Sequence, residues 1–481
     1  MIEKALTFGG WPGLVLLLAG NGIGCLAWLV YMIRSRYRKA FYTLIMMFPF
    51  TFYAGRAAGI KAFEIPDFDQ RIGLSTFLIL VMYLVLLVRR RLRRPPHGVP
   101  RAIEFFFWVY AVTVTISQFA THDAFAAVTL SVGAAWEFLA LFYIVISLIR
   151  RDHHVVALIN TIFIFSLLNI LVRVVAKGES LFVSLSSENA GDAMAYGADV
   201  GRVGSGALGP GASYAGYLAI FVTLALGMYF ITRRGIYLGY AVMMLVEMVN
   251  TFTRGAFFVL GLLVLLVAFR RTRVITLKIA GLLLAGMALT WPILRKYIEV
   301  RGFSFNPMRV NTFYLRVLLT QRFFHEYQFS WWGNGILQQT FFELRPWLIV
   351  PIHNAYLEIL DTCGILPFAS FTIMTLLMAW YGFRVSVKRS GQVRDLVSMR
   401  LAPFVLITLL QWILFANTTS TSVQAYYPYE GIAIFWIVGT MPILIRTASR
   451  NAKRIAALQA RVAPVRARPL AIASPTPAEI S

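Results

Sequence analysis

The sequence predicts an all-α, polytopic membrane helical bundle with about twelve to thirteen transmembrane helices. Hydrophobic residues make up 59% of the 481-residue chain and charged residues only 14%, too few to cover a soluble body of this length. Apolar runs of roughly 15 to 20 residues recur from end to end, separated by short basic clusters, which is the pattern of a multi-spanning protein. Mean hydropathy is +0.70.

In chain order, the runs place spans near 11–33, 40–55, 72–88, 102–120, 126–149, 155–175, 213–231, 236–252, 256–269, 279–294, 355–383, 401–417 and 432–446. The segment "RSRYRK" separates the first and second spans. The third and fourth are parted by "RRRLRRPPHGVPR", and the fifth and sixth by "RRDHH". "TRRG", "RRTRVITLK" and the basic stretch 384–400 divide the later pairs, and the last span runs into a basic tail from Arg446. Together these segments hold 30 of the 45 Lys and Arg residues. They fall in alternate loops, so the positive-inside rule makes that side cytoplasmic, with the N-terminus outside and the C-terminus inside.

The membrane domain is expected to occupy 1–450. The tail 451–481 is basic, then rich in Pro, Ala and Ser, and reads as a disordered extension lying against the membrane. The first apolar run has no small-residue cleavage site after it, so it is read as a span and not a signal peptide. A net charge of +24 does not indicate nucleic acid, because the basic residues punctuate apolar runs and form no nucleic-acid-binding motif. Cys25 and Cys363 both fall in predicted spans and read as small packing residues. Two cysteines exclude a disulfide framework, and no Cys/His spacing suggests zinc.

Two outer loops are long. One, 176–212, is rich in Gly and Ser and ends "GRVGSGALGPGASYAG". The other, 295–352, carries seven of the remaining 15 positive charges. A basic surface on the outer side departs from the topology rule and suits an anionic ligand such as a phosphate. Within it, Val310, Phe313, Tyr314, Val317, Leu318, Gln321 and Phe324 follow helical spacing, with Arg316 and Arg322 off the stripe. An amphipathic helix lying on the outer leaflet is expected there. "WWGNGI" then turns the chain at its glycines and anchors it with indoles.

"VPIHNAYLEILDTCGILPF" marks the return into the membrane. His353 stands at the boundary, where an imidazole titrates near neutral pH and can take a proton from a hydroxyl. Asn354 is placed to cap the helix that follows. Glu358 and Asp361, read as part of one descending span, lie roughly 7 and 12 Å deeper than His353. An unpaired carboxylate at mid-span costs on the order of 2.5–3.5 kcal/mol, so both should face the bundle interior, as should Glu137 and Glu247 in other spans. Arg254, in "NTFTRGAFF", and Arg202, in "GRVGSGALGPG", sit at outer turns, where a guanidinium can hold a phosphate through two hydrogen bonds. No outer DxD pair and no ATP- or dinucleotide-binding fingerprint is present, so neither a metal nor a cofactor is expected.

Over roughly residues 200–440 these segments resemble the O-antigen ligase and polymerase family of bacterial polysaccharide assembly. The similarity lies in "HNAYLEILDTCGILPF", "NTFTRGAFF", "FYLRVLLTQRFFHEYQFSWWGNGI" and "RVGSGALGPGASYAG", in the family's order and spacing. The Pro-Asn often found before the family's span is replaced by "GPGASY", and one N-terminal span has no counterpart. The resemblance implies a GT-C-like glycosyltransferase of the bacterial inner membrane, with its active site facing the periplasm and no metal requirement. It would take a glycan from undecaprenyl diphosphate and pass it to a glycan or to lipid A–core, alongside other polysaccharide-assembly proteins. It further implies His353 as the base and Arg202, Arg254 and Arg316 as holders of the diphosphate, with Asn354, Glu358 and Asp361 in support. The alternative is a flippase or exporter of the same lipid-linked sugars, its intramembrane acids forming a proton relay.

Overall fold

The computed structural model describes residues 10–57, 73–92, 101–177, 211–251, 260–261, 281, 291, 311–328, 330–336, 341–345, 348–351, 354–387, 396–416 and 429–466. The described chain is helical apart from one small hairpin. Its helices are α1 (Gly10–Ile33), α2 (Tyr37–Ala57), α3 (Leu74–Val88), α4 (Arg101–Thr121), α5 (Ala124–Leu148), α6 (Asp152–Lys177), α7 (Gly211–Thr232) and α8 (Gly235–Asn250). After α9 (Asn311–Glu326), strands β1 (Phe341–Arg345) and β2 (Leu348–Pro351) pair antiparallel, with an irregularity between Glu343 and Arg345. Then come α10 (Ala355–Cys363), α11 (Ile365–Val387), α12 (Val397–Ala416) and α13 (Tyr429–Arg466).

Among the described residues, seven helices are long and apolar enough to cross a membrane: α1, α4, α5, α6, α7, α11 and α12. Leu74–Val88 and Gly235–Met248 are apolar but shorter. The expected spans 256–269 and 279–294 lie outside the described residues apart from isolated positions. Large apolar side chains such as Ile23, Leu26, Val88 and Phe105 are exposed around the bundle, which suits a hydrocarbon environment. The structure thus describes a multi-pass, membrane-embedded helical protein.

An aromatic cluster joins the helices. The Phe107 ring stacks on Phe142 at 4.6 Å and lies 5.0 Å from Trp436; Trp436 in turn meets Phe138 at 5.5 Å and Phe371 at 5.9 Å. Four helices (α4, α5, α11 and α13) are tied there by edge and offset contacts, which add to plain apolar burial. Inside α5, a π-helical turn at Val132–Trp136 widens the ladder, and the Tyr110 hydroxyl lies 3.5 Å from the Ala134 carbonyl oxygen. Just past it Glu137 is buried and accepts a hydrogen bond from Thr76 at 2.8 Å, so this in-span acid faces the interior.

The bundle has two distinct ends. One gathers the tail of α4 with residues 330–336 and 361–364. At the other, Asp152 accepts from the backbone N–H groups of Val397 and Ser398, Tyr42 donates to the His154 carbonyl, and Asn451 donates to that of Arg150. That second end collects the neighbourhoods of "RSRYRK", "RRDHH", 384–400 and the start of the tail, so these basic clusters share one face. The tail itself differs from expectation, because α13 continues as helix through Arg466. Residues 451–466 run N-A-K-R-I-A-A-L-Q-A-R-V-A-P-V-R, mostly strong helix formers on the end of an existing helix, so no new nucleation is needed.

Candidate functional site

The expected span 355–383 is broken. Its first nine residues form α10 and the remainder belongs to α11, with Gly364 between them at φ +90°. Tyr356, near the start of α10, has its ring 5.5 Å from that of Phe371 and shares a hydrogen bond with Thr375. Both partners lie well inside α11. At about 1.5 Å per residue, two arms joined at Gly364 meet this way only if α10 folds back along α11. The two arms therefore run side by side and do not form one continuous span: Tyr356 lies beside Phe371 and Thr375, and Asp361 lies close to the first turn of α11.

Asn354 caps α10. Its side-chain oxygen accepts from the backbone N–H groups of Tyr356 at 3.0 Å and Leu357 at 3.3 Å, satisfying two donors that the helix cannot pair internally. Glu358 is 0% exposed and Asp361 is 2% exposed. A clasp forms around Asp361. Its carboxylate Oδ1 accepts from Asn334 Nδ2 at 2.8 Å, and its carbonyl accepts from the Asn334 N–H at 2.8 Å. The Gly335 N–H donates to the Thr362 carbonyl at 2.9 Å. The "WWGNGI" segment is thus bolted to the end of α10.

Glycine is required on both sides of this clasp. Gly333 adopts φ +70°, and a Cβ there would stand 2.6 Å from the Gly364 nitrogen and 2.7 Å from the Asp361 oxygen. At Gly364 a Cβ would run into the Trp331 carbonyl. The clasp is held in turn by α4. Ser117 Oγ donates to the Trp332 carbonyl at 2.6 Å, and Gln118 Oε1 accepts from the Ile336 N–H at 3.1 Å. His122, in the turn after α4, lies against Gly335. Its buried Nε2 has no hydrogen-bond partner among the described residues. Burial pushes the imidazole pKa below 6.5, against an opposing pull from Asp123.

Helix α9 packs on the other side of α10, with Leu319 and Phe323 against Leu357 and Leu360. The packed face is not the stripe expected from the sequence, whose Phe324 is 64% exposed. Spacing alone does not say which of two adjacent apolar faces meets protein and which is left outward. Arg316 lies on α9, three residues before Leu319. Among the predicted residues the structure brings together Asn354, Glu358 and Asp361 on α10, and the helix that carries Arg316 packs on α10 through Leu357 and Leu360. His353, Arg202 and Arg254 lie outside the described residues; α10 starts with the cap residue next to His353 in the chain.

A second polar cluster joins α6, α7 and α8. Arg173 Nη2 lies 2.8 Å from Glu247 Oε1, which also accepts from the Tyr214 hydroxyl at 3.0 Å. All three residues are buried. By alternation of the spans, this cluster lies at the same end of the bundle as the clasp. Glu247 was expected to face the interior, whereas Arg173 was not singled out. Its signal is the lone cation in the apolar stretch "ILVRVVA". Gln118, Ser117 and Asn334 were missed as well, since an uncharged polar residue near a span end looks like an ordinary interfacial one. Among the described residues, no three His, Cys, Asp or Glu side chains cluster as a metal ion would need. No family model matches the chain, and no curated protein matches it.

Proposed function

We propose that this chain is a membrane glycosyltransferase that moves a glycan from a polyprenyl diphosphate to a hydroxyl acceptor at the outer face of the bacterial inner membrane. The observation that carries the proposal is the joint packing of α9 and the 330–336 loop on α10. These belong to two of the segments that resemble the ligase and polymerase family, and they are neighbours in space as well as in order. The collection of basic clusters at the opposite end of the bundle supports the assigned sidedness through the positive-inside rule.

In this mechanism His353 takes the proton of the acceptor hydroxyl as its oxygen attacks the anomeric carbon. The bond from that carbon to the phosphate oxygen breaks, and polyprenyl diphosphate departs with the electron pair. Arg202, Arg254 and Arg316 stabilise the charge growing on it. The clasp at Asp361 and the cap at Asn354 keep α10 in position next to the base. The donor's own phosphate–sugar bond supplies the driving force, so no ATP enters. Passing the glycan to another lipid-linked repeat makes a polymerase; passing it to lipid A–core makes a ligase.

The test uses purified protein in lipid nanodiscs, with lipid-linked glycan extracted from cells that lack the chain. Wild type should release polyprenyl diphosphate. His353→Ala and His353→Gln should each lose at least about a hundredfold, the lower range of general-base contributions. Unchanged turnover in both variants would contradict the mechanism. One observation favours an exporter instead: the Arg173–Glu247 pair is buried within spans, and intramembrane ion pairs mark substrate and proton pathways in transporters. Glycan carried across sealed vesicles without diphosphate release would select that reading.

A further inference from the structure

Helix α13 leaves the bundle at its C-terminal end. Up to Asn451 it is packed: Ala448 and Ser449 are buried, the Arg446 guanidinium lies 5.1 Å from the Tyr381 ring centroid, and Asn451 Nδ2 donates to the Arg150 carbonyl at 2.9 Å. From Lys453 to Leu458 every residue is exposed, so the helix stands clear of the bundle on all sides. Residues 446–466 carry six Lys and Arg and no Asp or Glu. Beyond the packed part, Ile455, Leu458, Val462 and Val465 follow each other at steps of 3, 4 and 3, the spacing of a coiled-coil seam. Ile455 and Leu458 are 44% and 52% exposed. Arg454 and Arg461 share one heptad position, each directly before a seam residue.

We infer that this projecting end is a docking helix for an acidic amphipathic helix of a partner protein. The seam supplies the apolar contact and the arginines beside it select the partner's charge. A second copy of the chain is disfavoured, because it would set these arginines against its own. Anionic lipid is the other source of negative charge, and the length of helix beyond the apolar run that ends at Arg446 argues against it. The helix is continuous with its packed part, so Leu458 stands about 18 Å beyond Arg446 along the axis. Surface charge is screened within about 8 Å at physiological salt. The inference is independent of the transferase mechanism.

The experiment uses the full chain in nanodiscs of uncharged lipid and a labelled three-heptad synthetic peptide with Leu at its seam and Glu beside it. Wild type should bind the peptide in a salt-sensitive way and ignore the same peptide carrying Lys for Glu. Arg454→Glu with Arg461→Glu should weaken binding at least tenfold. Ile455→Asp with Leu458→Asp should do the same, with melting temperatures unchanged because both residues are exposed beyond the packed part of α13. Equal binding by the Asp variant would overturn the proposal, as would no binding by wild type. A preference for anionic vesicles that depends on the same arginines, or pairing of two copies through Leu458, would overturn it too.

Discussion

Gly364 adopts φ +90°, and a Cβ added there would meet the Trp331 carbonyl across the clasp. Gly364→Ala should therefore destabilise the protein by at least the roughly 1–3 kcal/mol of a strained backbone, read as a lower melting temperature in detergent. A melting temperature equal to wild type would mean the chain turns elsewhere. His122 makes a different prediction at the same scale. Its folded pKa is depressed by burial, so as pH falls below 6.5 the unfolded chain takes up the proton first. Stability should fall in that range until the folded imidazole also titrates. His122→Gln should flatten the dependence of melting temperature on pH between 7 and 5, whereas an unchanged slope would assign it to other groups. The cap at Asn354 was legible from its residue type at the head of an apolar run. The glycine hinge was not, because a single Gly in an apolar run reads equally as part of a continuous span.

Among the elements, α10 decides how the site is assembled. Hydropathy merged it with α11, since both are apolar and together they have the length of one long span. Contacts distant in sequence bend it back: Tyr356 with Phe371 and Thr375, and Asp361 with Asn334. Periodicity within one segment carries no information about such pairs. The interior-facing carboxylates were legible from their insertion cost, but the side-by-side run of the two arms was not. Asn334→Ala removes the side-chain donor to a buried carboxylate and should cost about 1–3 kcal/mol. Thermal unfolding checks this, and product formation should fall while the protein stays in the membrane. Asp361→Asn keeps an acceptor oxygen and should be milder. If Asn334→Ala melts with wild type, the clasp does not hold α10.

For the molecule as a whole, the sequence revealed its membrane class and the alternation of its loops. Composition and basic punctuation are global signals that need no tertiary contact. It did not reveal that Arg173 neutralises Glu247, because that pair joins helices far apart in the chain. Arg173→Ala should destabilise by about 3–5 kcal/mol, leaving a buried carboxylate uncompensated. Arg173→Met combined with Glu247→Met should recover most of the loss, and unfolding of both variants against wild type checks the difference. The transferase proposal itself is tested most directly in cells lacking the chain, with wild type or His353→Ala restored at equal membrane levels. Lipid-linked glycan, followed by gel and mass analysis, should accumulate without the chain and be cleared by wild type alone. Clearance by His353→Ala would contradict the account.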